Sequence, residues 1–358
     1  MSVVHVVDKG RLFDEIAINY TAAEATGVQS YRSQSKNLAM VARILYLGDF
    51  QEADLLDVAC GFGITALAAA SHNPRSITSI DPSESLTSIA RMIFQEDQDI
   101  AIWLESRGAR QLLGSAFQRT VEYLMSLRNG FREYFFCHQK KPLTILQTGL
   151  MEFQPENKYD VVILNNALHW VVTQIRKQKE DPDAPETVRA ALVEALRKVR
   201  SFLNVGGVFA FLSPKVFVRL SDLEREDYLA AHWSANHPIM QMLNSRAREI
   251  FKNEKGISSE TSGAPPVIYH QSEMAQVAKE SGFRLVSFLQ FEESLLVPDA
   301  LDYFKLLIPI NLGDIEALMV EKVRVVNEAA RQIEAEVAAM PQNHYIHDQQ
   351  HIFAFTAE

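Results

Sequence analysis

The chain has 358 residues, 47% of them hydrophobic, and a formal net charge of −10. That length can bury one large core with additions to it. The acidity excludes DNA and RNA as expected partners, because nucleic-acid affinity comes chiefly from neutralised phosphates. The first segment, MSVVHVVDKGRLFDE, carries charge too early for an apolar signal core, and no apolar run approaches about 18 residues. A cytoplasmic protein with no membrane contact is the expectation.

The first strong element is LLDVACGFGITALAAASHNPRSITSIDPSESL, Leu55 to Leu86. Its apolar run Leu55–Val58 reads as a buried strand, Ile64 opens a helix, and Asp81 closes a second strand. Gly61 and Gly63 fall in the connecting loop, where backbone must approach a ligand closely. Asp81, twenty residues beyond Gly61, is placed to accept from ribose hydroxyls. A dinucleotide loop would carry three glycines as GxGxxG, whereas Ala59 and Ala66 stand at two of the places where glycine would be needed. The dehydrogenase reading is therefore weak.

Further along, a third strand begins at Leu143, and KYDVVILNNALHWV (Lys158–Val171) contains a fourth. Leu192, Leu196, Val199 and Leu203 recur at helical spacing before Gly206 and Gly207, and a fifth strand runs to Pro214. FRLVSFLQF (Phe283–Phe291) and HIFAFTAE (His351–Glu358) read as a sixth and a seventh. Between these lie longer runs than a compact α/β domain needs. Gln95–Lys141 has Leu112, Leu113, Phe117, Val121, Leu124 and Leu127 at helical spacing. A second such run starts near Lys215 and includes an exposed loop at Asn253–Pro266. A third, Pro298–Met340, is mostly helical.

These segments, in this order, resemble the class I S-adenosylmethionine-dependent methyltransferases. DVACGFG matches the family's first motif, Ile80–Pro82 its acid-ended second strand, NNALHW the end of its fourth, and the Gly206–Gly207 turn its fifth. The resemblance implies an α/β, doubly wound, seven-stranded and mostly parallel sheet of Rossmann-like methyltransferase fold, with an inserted α-helical cap. It divides the chain into N-terminal helices over the cofactor site (1–50), a cofactor-binding core (51–94 and 142–214), a helical insertion (95–141), a cap insertion (215–280), the last core strands (281–297 and 345–358) and a second cap insertion (298–344).

The implied cofactor is S-adenosyl-L-methionine, held by Tyr20, Asp57, Ala59, Gly61, Gly63, Asp81, Pro82, Leu150, Met151, Asn165 and Asn166. Many relatives carry an acid after the third strand for the adenine amine, but Gly149, Leu150 and Met151 stand there. Backbone and apolar packing are expected to replace it. Methyl transfer needs held reactants and excluded water, and a base is optional. His169 is the candidate general base. Trp170, Trp233 and Tyr303 are candidates for the substrate pocket. The implied reaction is methylation of oxygen or carbon on a small apolar or amphipathic metabolite.

Other readings stay open. Arg107–Lys141 carries seven basic and two acidic side chains, which would suit a free or carrier-bound carboxylic acid as acceptor. A non-catalytic nucleoside-binding scaffold is the alternative from another class. The inserted helices suit a monomer or a homodimer. His344, His347, His351 and Asp348 have short metal-ligand spacings, but the run leads into the last strand, where the imidazoles would not share a face, so no metal is expected. Cys60 reads as a small packing residue, and two cysteines make no disulfide framework.

Overall fold

The computed structural model describes residues 9–26, 41, 44, 51–95, 98–137, 143–182, 184–213, 238–257, 271–312, 315, 317–341 and 345–358. Helix α1 (Lys9–Glu24) comes first. Then follow β1 (Asp54–Val58), α2 (Ile64–Ala70), β2 (Ser76–Asp81), α3 (Glu84–Phe94), α4 (Ile100–Ser106), α5 (Ala109–Leu113), α6 (Ala116–Cys137) and β3 (Leu143–Gln147). The second half holds β4 (Tyr159–Asn165), α7 (Leu168–Arg176), α8 (Pro185–Phe202), β5 (Leu203–Ser213), α9 (Pro238–Lys255), α10 (Gln271–Glu280), β6 (Phe283–Leu296), α11 (Val297–Asn311), α12 (Met319–Ala338) and β7 (Tyr345–Ala357).

The seven strands form one sheet in the order β3-β2-β1-β4-β5-β7-β6. Strands β1 to β5 are parallel, and β7 runs antiparallel to both β5 and β6. The chain winds outward from β1 in one direction and from β4 in the other. Its switch point therefore lies between the carboxyl ends of β1 and β4, where open α/β sheets bind ligands.

Alternation along the strands fills both faces. Leu56, Val58, Val162, Leu164, Phe209, Phe211, Phe353 and Phe355 pack on one side with Leu192, Leu196, Val199 and Phe202 of α8. Leu55, Val161, Ile163, Ala210, Leu212, Ile352 and Ala354 pack on the other with Ala66 and Ala69 of α2. Across the β5–β7 ladder Phe211 stacks on Phe353 with centroids 5.0 Å apart, and Phe209 on Phe355 at 5.7 Å. Such cross-strand aromatic pairs fix the register, because a one-residue slip would turn every ring to the opposite face.

A third apolar layer is mostly helical. It joins Ala17, Ala22 and Ala23 of α1 to Leu86, Ile89 and Ile93 of α3, Leu124 of α6, Leu243 and Phe251 of α9, Phe304 of α11 and Val326 and Ile333 of α12. Helix α10, by contrast, packs on β6 and α8. No helix among the described residues is long and apolar enough to cross a membrane.

Some boundaries differ from the sequence reading. Strand β6 extends past Phe291 to Leu296, and β7 begins at Tyr345, with the two paired to their ends at Leu296↔Tyr345. The polar runs Glu292–Ser294 and Asp348–Gln350 break the apolar alternation in sequence, while the backbone register continues through them. The expected loop at Asn253–Pro266 begins later, because α9 continues to Lys255. At the Gly206–Gly207 turn β5 already starts at Leu203. There a Cβ on Gly207 would come within 3.0 Å of the Asn204 carbonyl oxygen and 3.1 Å of that of Asp160.

Candidate active site

The loop after β1 is built from left-handed backbone. Ala59 has φ 53°, Gly61 φ 55° and Gly63 φ 92°. Two of the three positions are glycine because this region strains residues with a Cβ. Cys60 N–H donates to the Ile80 carbonyl at 3.0 Å, and Gly63 N–H to the Cys60 carbonyl at 2.9 Å. These bonds close the loop against β2. A Cβ at Gly63 would run into the Phe94 ring, which stands 4.5 Å from that of Phe131. A Cβ at Gly61 would meet nothing within 4 Å. Gly63 thus serves packing, and Gly61 leaves space in front of the loop.

Two buried carboxylates flank that space. Asp81 accepts from Gly61 N–H and Ser83 N–H, both at 2.9 Å. Burial pushes its pKa up to about 6, the Ser83 and Gly61 N–H groups hold it down, and Asp14 adds a rise. Asp57 is fully buried, and neither of its oxygens has a hydrogen-bond partner. Burial first, and the Asp81 charge second, push it up to about 8; the nearby Ala66 N–H offsets part of the rise without closing a hydrogen bond. Asp57 therefore does not cap α2, whose N-cap is Gly63 with no side-chain bond. The same surroundings raise the Cys60 thiol well above its usual range, chiefly through burial, so it stays protonated.

The edges of the cleft come from three further segments. Asn165 Nδ2 donates to Thr65 Oγ1 at 3.2 Å, tying the end of β4 to α2. Asn166 turns the chain in the left-handed region and donates its N–H to the Leu212 carbonyl at 2.9 Å. His169 and Trp170 then begin α7 with ring centroids 4.9 Å apart. After β3, Thr148 N–H donates to the Asp81 carbonyl at 3.0 Å, which carries Leu150 and Met151 to the end of β2. Leu150 is buried and Met151 partly so, whereas Pro82 is exposed.

Helix α1 closes the other side. The Asp14 carboxylate accepts from Ser83 Oγ at 2.7 Å and from Ser85 N–H at 2.8 Å, docking the helix on the turn that follows Asp81. Ser83 Oγ also accepts from Leu86 N–H as the N-cap of α3. Tyr20 lies edge-on to Phe62 at 6.2 Å, and Phe62 edge-on to Tyr123 of α6 at 6.4 Å. Burial raises the Tyr20 hydroxyl pKa well above its usual value, with Glu24, Tyr303, Asp81 and Tyr123 adding to the rise.

The structure thus brings together Tyr20, Asp57, Gly61, Asp81 and Tyr303. Trp170 instead packs against the sheet-face layer that contains Leu168 and Val172. Trp233 and His344 lie outside the described residues, as do the side chains of His347 and Asp348. The His351 ring stacks on Phe288, and burial pushes its pKa down to about 4. Among the described residues no group of three His, Cys, Asp or Glu could hold a metal ion. The sequence reading missed Asp14 and Glu24. Their signal is the spacing of Asp14, Ala17, Thr21 and Glu24, one face of a helix.

A family model described as a methyltransferase domain matches residues 31–288. A search of curated proteins found no match. Among solved structures, the [4+2]-cyclase SpnF is 14% identical, with 98% of this chain and 95% of that chain covered and a TM-score of 0.45. Magnesium protoporphyrin IX methyltransferase from Synechocystis PCC 6803 is 11% identical, with coverages of 98% and 100% and a TM-score of 0.44. A methyltransferase from Thiobacillus denitrificans is 13% identical, with coverages of 95% and 98% and a TM-score of 0.43. The family match spans most of the chain, and with it the chain belongs to the methyltransferase family that the model describes.

Proposed function

We propose that this methyltransferase acts on a small, largely apolar acceptor enclosed between the sheet ends and the helical layer. The observation that carries the reading is the meeting of Phe62, Tyr20, Tyr123 and Tyr303 beside Asp81, drawn from the glycine loop, α1, α6 and α11. Buried aromatic walls with a few polar groups suit a small organic molecule better than a macromolecule. The basic segment favours an acidic acceptor less than its charge implied. Arg107 lies over the Trp103 ring, Arg110 lies over Phe117 and pairs with Glu105, and buried Arg128 donates to the Gln98 carbonyl.

The residues present fit the cofactor. Open space lies where Gly61 lacks a Cβ, and the Asp57 carboxylate has no partner, so an ammonium group would answer a buried acceptor. In this reading Asp81 receives the ribose hydroxyls, Asp57 the amino group, Asn165 and Asn166 border the methionine portion, and Leu150 with Met151 packs the adenine. Tyr20 covers the cofactor from α1. The donor supplies a sulfonium-bound methyl group. The protein's own part is to orient the acceptor and exclude water, and His169, beyond the end of β4, takes the acceptor's proton.

The test is incubation with donor labelled in its methyl group and a total cell extract, followed by size fractionation. Label is expected in a small molecule that separates from the donor by chromatography and is absent when the extract is incubated without the protein. Label confined to protein or RNA would contradict the reading.

A further inference from the structure

Asp14, Ala17, Thr21 and Glu24 are spaced i, i+3, i+7 and i+10, so they share one face of α1 with Tyr20 beside them. That face is oriented by Asp14, whose carboxylate accepts from Ser83 and Ser85 just past Asp81. Asp14 thus holds the start of the stripe at the end of β2, and Tyr20, six residues on, lies near enough to Asp81 to feel its charge. Thr21 lies on it with no solvent exposure, and its hydroxyl has no hydrogen-bond partner. A buried hydroxyl left unmatched is costly, and in a native protein it needs a reason. Glu24 is 7% exposed on the same face.

The groups facing Tyr20 from the elements packed around it have a consistent character. The charged ones are the carboxylates of Glu24 and Asp81, and the neutral ones are the hydroxyls of Tyr303 on α11 and Tyr123 on α6. A carboxylate acceptor entering here would place another negative charge among these at low dielectric, where like charges repel strongly. A hydroxyl or amine would instead donate a charge-assisted hydrogen bond to Glu24 and complete the hydrogen bonding of Thr21.

We infer that the α1 face formed by Tyr20, Thr21 and Glu24, with Tyr123 and Tyr303 opposite, is the acceptor-binding site, and that it selects acceptors bearing an O–H or N–H donor over carboxylic acids. The inference rests on the reading that Asp81 marks the donor's ribose. It deepens that reading by assigning Glu24 and Thr21, which the sequence motifs do not touch, to acceptor choice.

The experiment uses the full chain saturated with S-adenosylhomocysteine, titrated calorimetrically with benzyl alcohol, benzylamine and benzoate, which share a ring and differ in the polar group. The alcohol, the amine or both should bind at least about tenfold more tightly than benzoate, and which of them is tighter distinguishes a hydroxyl from an amine acceptor. Glu24→Gln should remove most of that preference while S-adenosylhomocysteine affinity stays within about threefold. Thr21→Val keeps the side-chain shape, so it should raise the melting temperature of the unliganded protein by roughly 2 °C while weakening the favoured probe.

Equal binding of all three probes, binding of none, or an unchanged preference in Glu24→Gln would overturn the inference. A lowered melting temperature in Thr21→Val with unchanged probe affinity would do the same, since it marks a hydroxyl that serves the fold. Failure of wild-type protein to bind S-adenosylhomocysteine would strike the cofactor reading instead, and that titration is made first.

Discussion

Replacing Asp81 by alanine is expected to weaken S-adenosylhomocysteine binding by about 100-fold or more, the scale of losing two hydrogen bonds to a charged group. A carboxylate offers about four acceptor positions, and Gly61 and Ser83 use two of them. In the proposed reading the remaining positions receive the ribose hydroxyls. The substitution also strips the partners from two backbone N–H groups, so some stability will be lost. Asp81→Asn separates the two effects. It retains shape and one acceptor oxygen, so its melting temperature should fall less than that of the alanine variant while donor affinity still drops. Calorimetric titration of both variants, with melting curves alongside, checks the prediction. Unchanged affinity in folded Asp81→Ala protein would remove Asp81 from the cofactor site.

The second large effect is a dependence of donor affinity on pH. In the unliganded protein burial pushes Asp57 up to about 8 and Asp81 up to about 6, both far above the carboxylate value of 3.8. Their charges interact, so the pair titrates as a unit. The folded protein then holds protons that the unfolded chain has lost, and stability falls as pH rises from about 4 to about 8. Burial of His351 acts in the opposite sense between about 4 and its usual 6.5, because there the unfolded chain binds the extra proton. Among the described groups with a shifted pKa, the carboxylate effect is the one that acts between about 6.5 and 8.

A cationic ligand group beside Asp57 favours the ionised form, so binding expels a proton. Affinity for S-adenosylhomocysteine should therefore climb between pH 6 and 8, by up to about tenfold per unit for each proton released, and level off above. Asp57→Asn should flatten that rise, weaken binding and make the unliganded protein more heat-resistant at alkaline pH. Titration at pH 7 in two buffers of different ionisation enthalpy reads the released proton directly. An affinity that stays flat from pH 6 to 8 would show that Asp57 does not meet the donor's charge.

The fold was legible where local chemistry and tertiary need agree. Leu55, Leu56 and Val58 are apolar because both faces of β1 are covered, Gly61 and Gly63 mark left-handed backbone, and Leu192, Leu196, Val199 and Leu203 trace the inner face of α8 and its exit. It was illegible where backbone pairing overrides side-chain pattern, as in the polar ends of β6 and β7. At the site, Asp57 and Asp81 were readable from their place in the strand–loop–helix motif. Their unequal environments were not, since the partners that Asp81 has and Asp57 lacks arise only when the loop closes on β2. Asp14 and Glu24 escaped notice because FDEIAINYTAAE reads as an ordinary amphipathic helix. The part Asp14 plays comes from docking on Ser83, some 70 residues away in sequence.

In the proposed reading the cleft between Gly61, Asp57 and Asp81 holds the methyl donor. Calorimetric titration of the purified wild-type chain with S-adenosylmethionine and S-adenosylhomocysteine tests it most directly. One site per chain is expected, with a dissociation constant on the order of micromolar for both ligands. The absence of any binding to protein shown to be folded by its melting curve would contradict it.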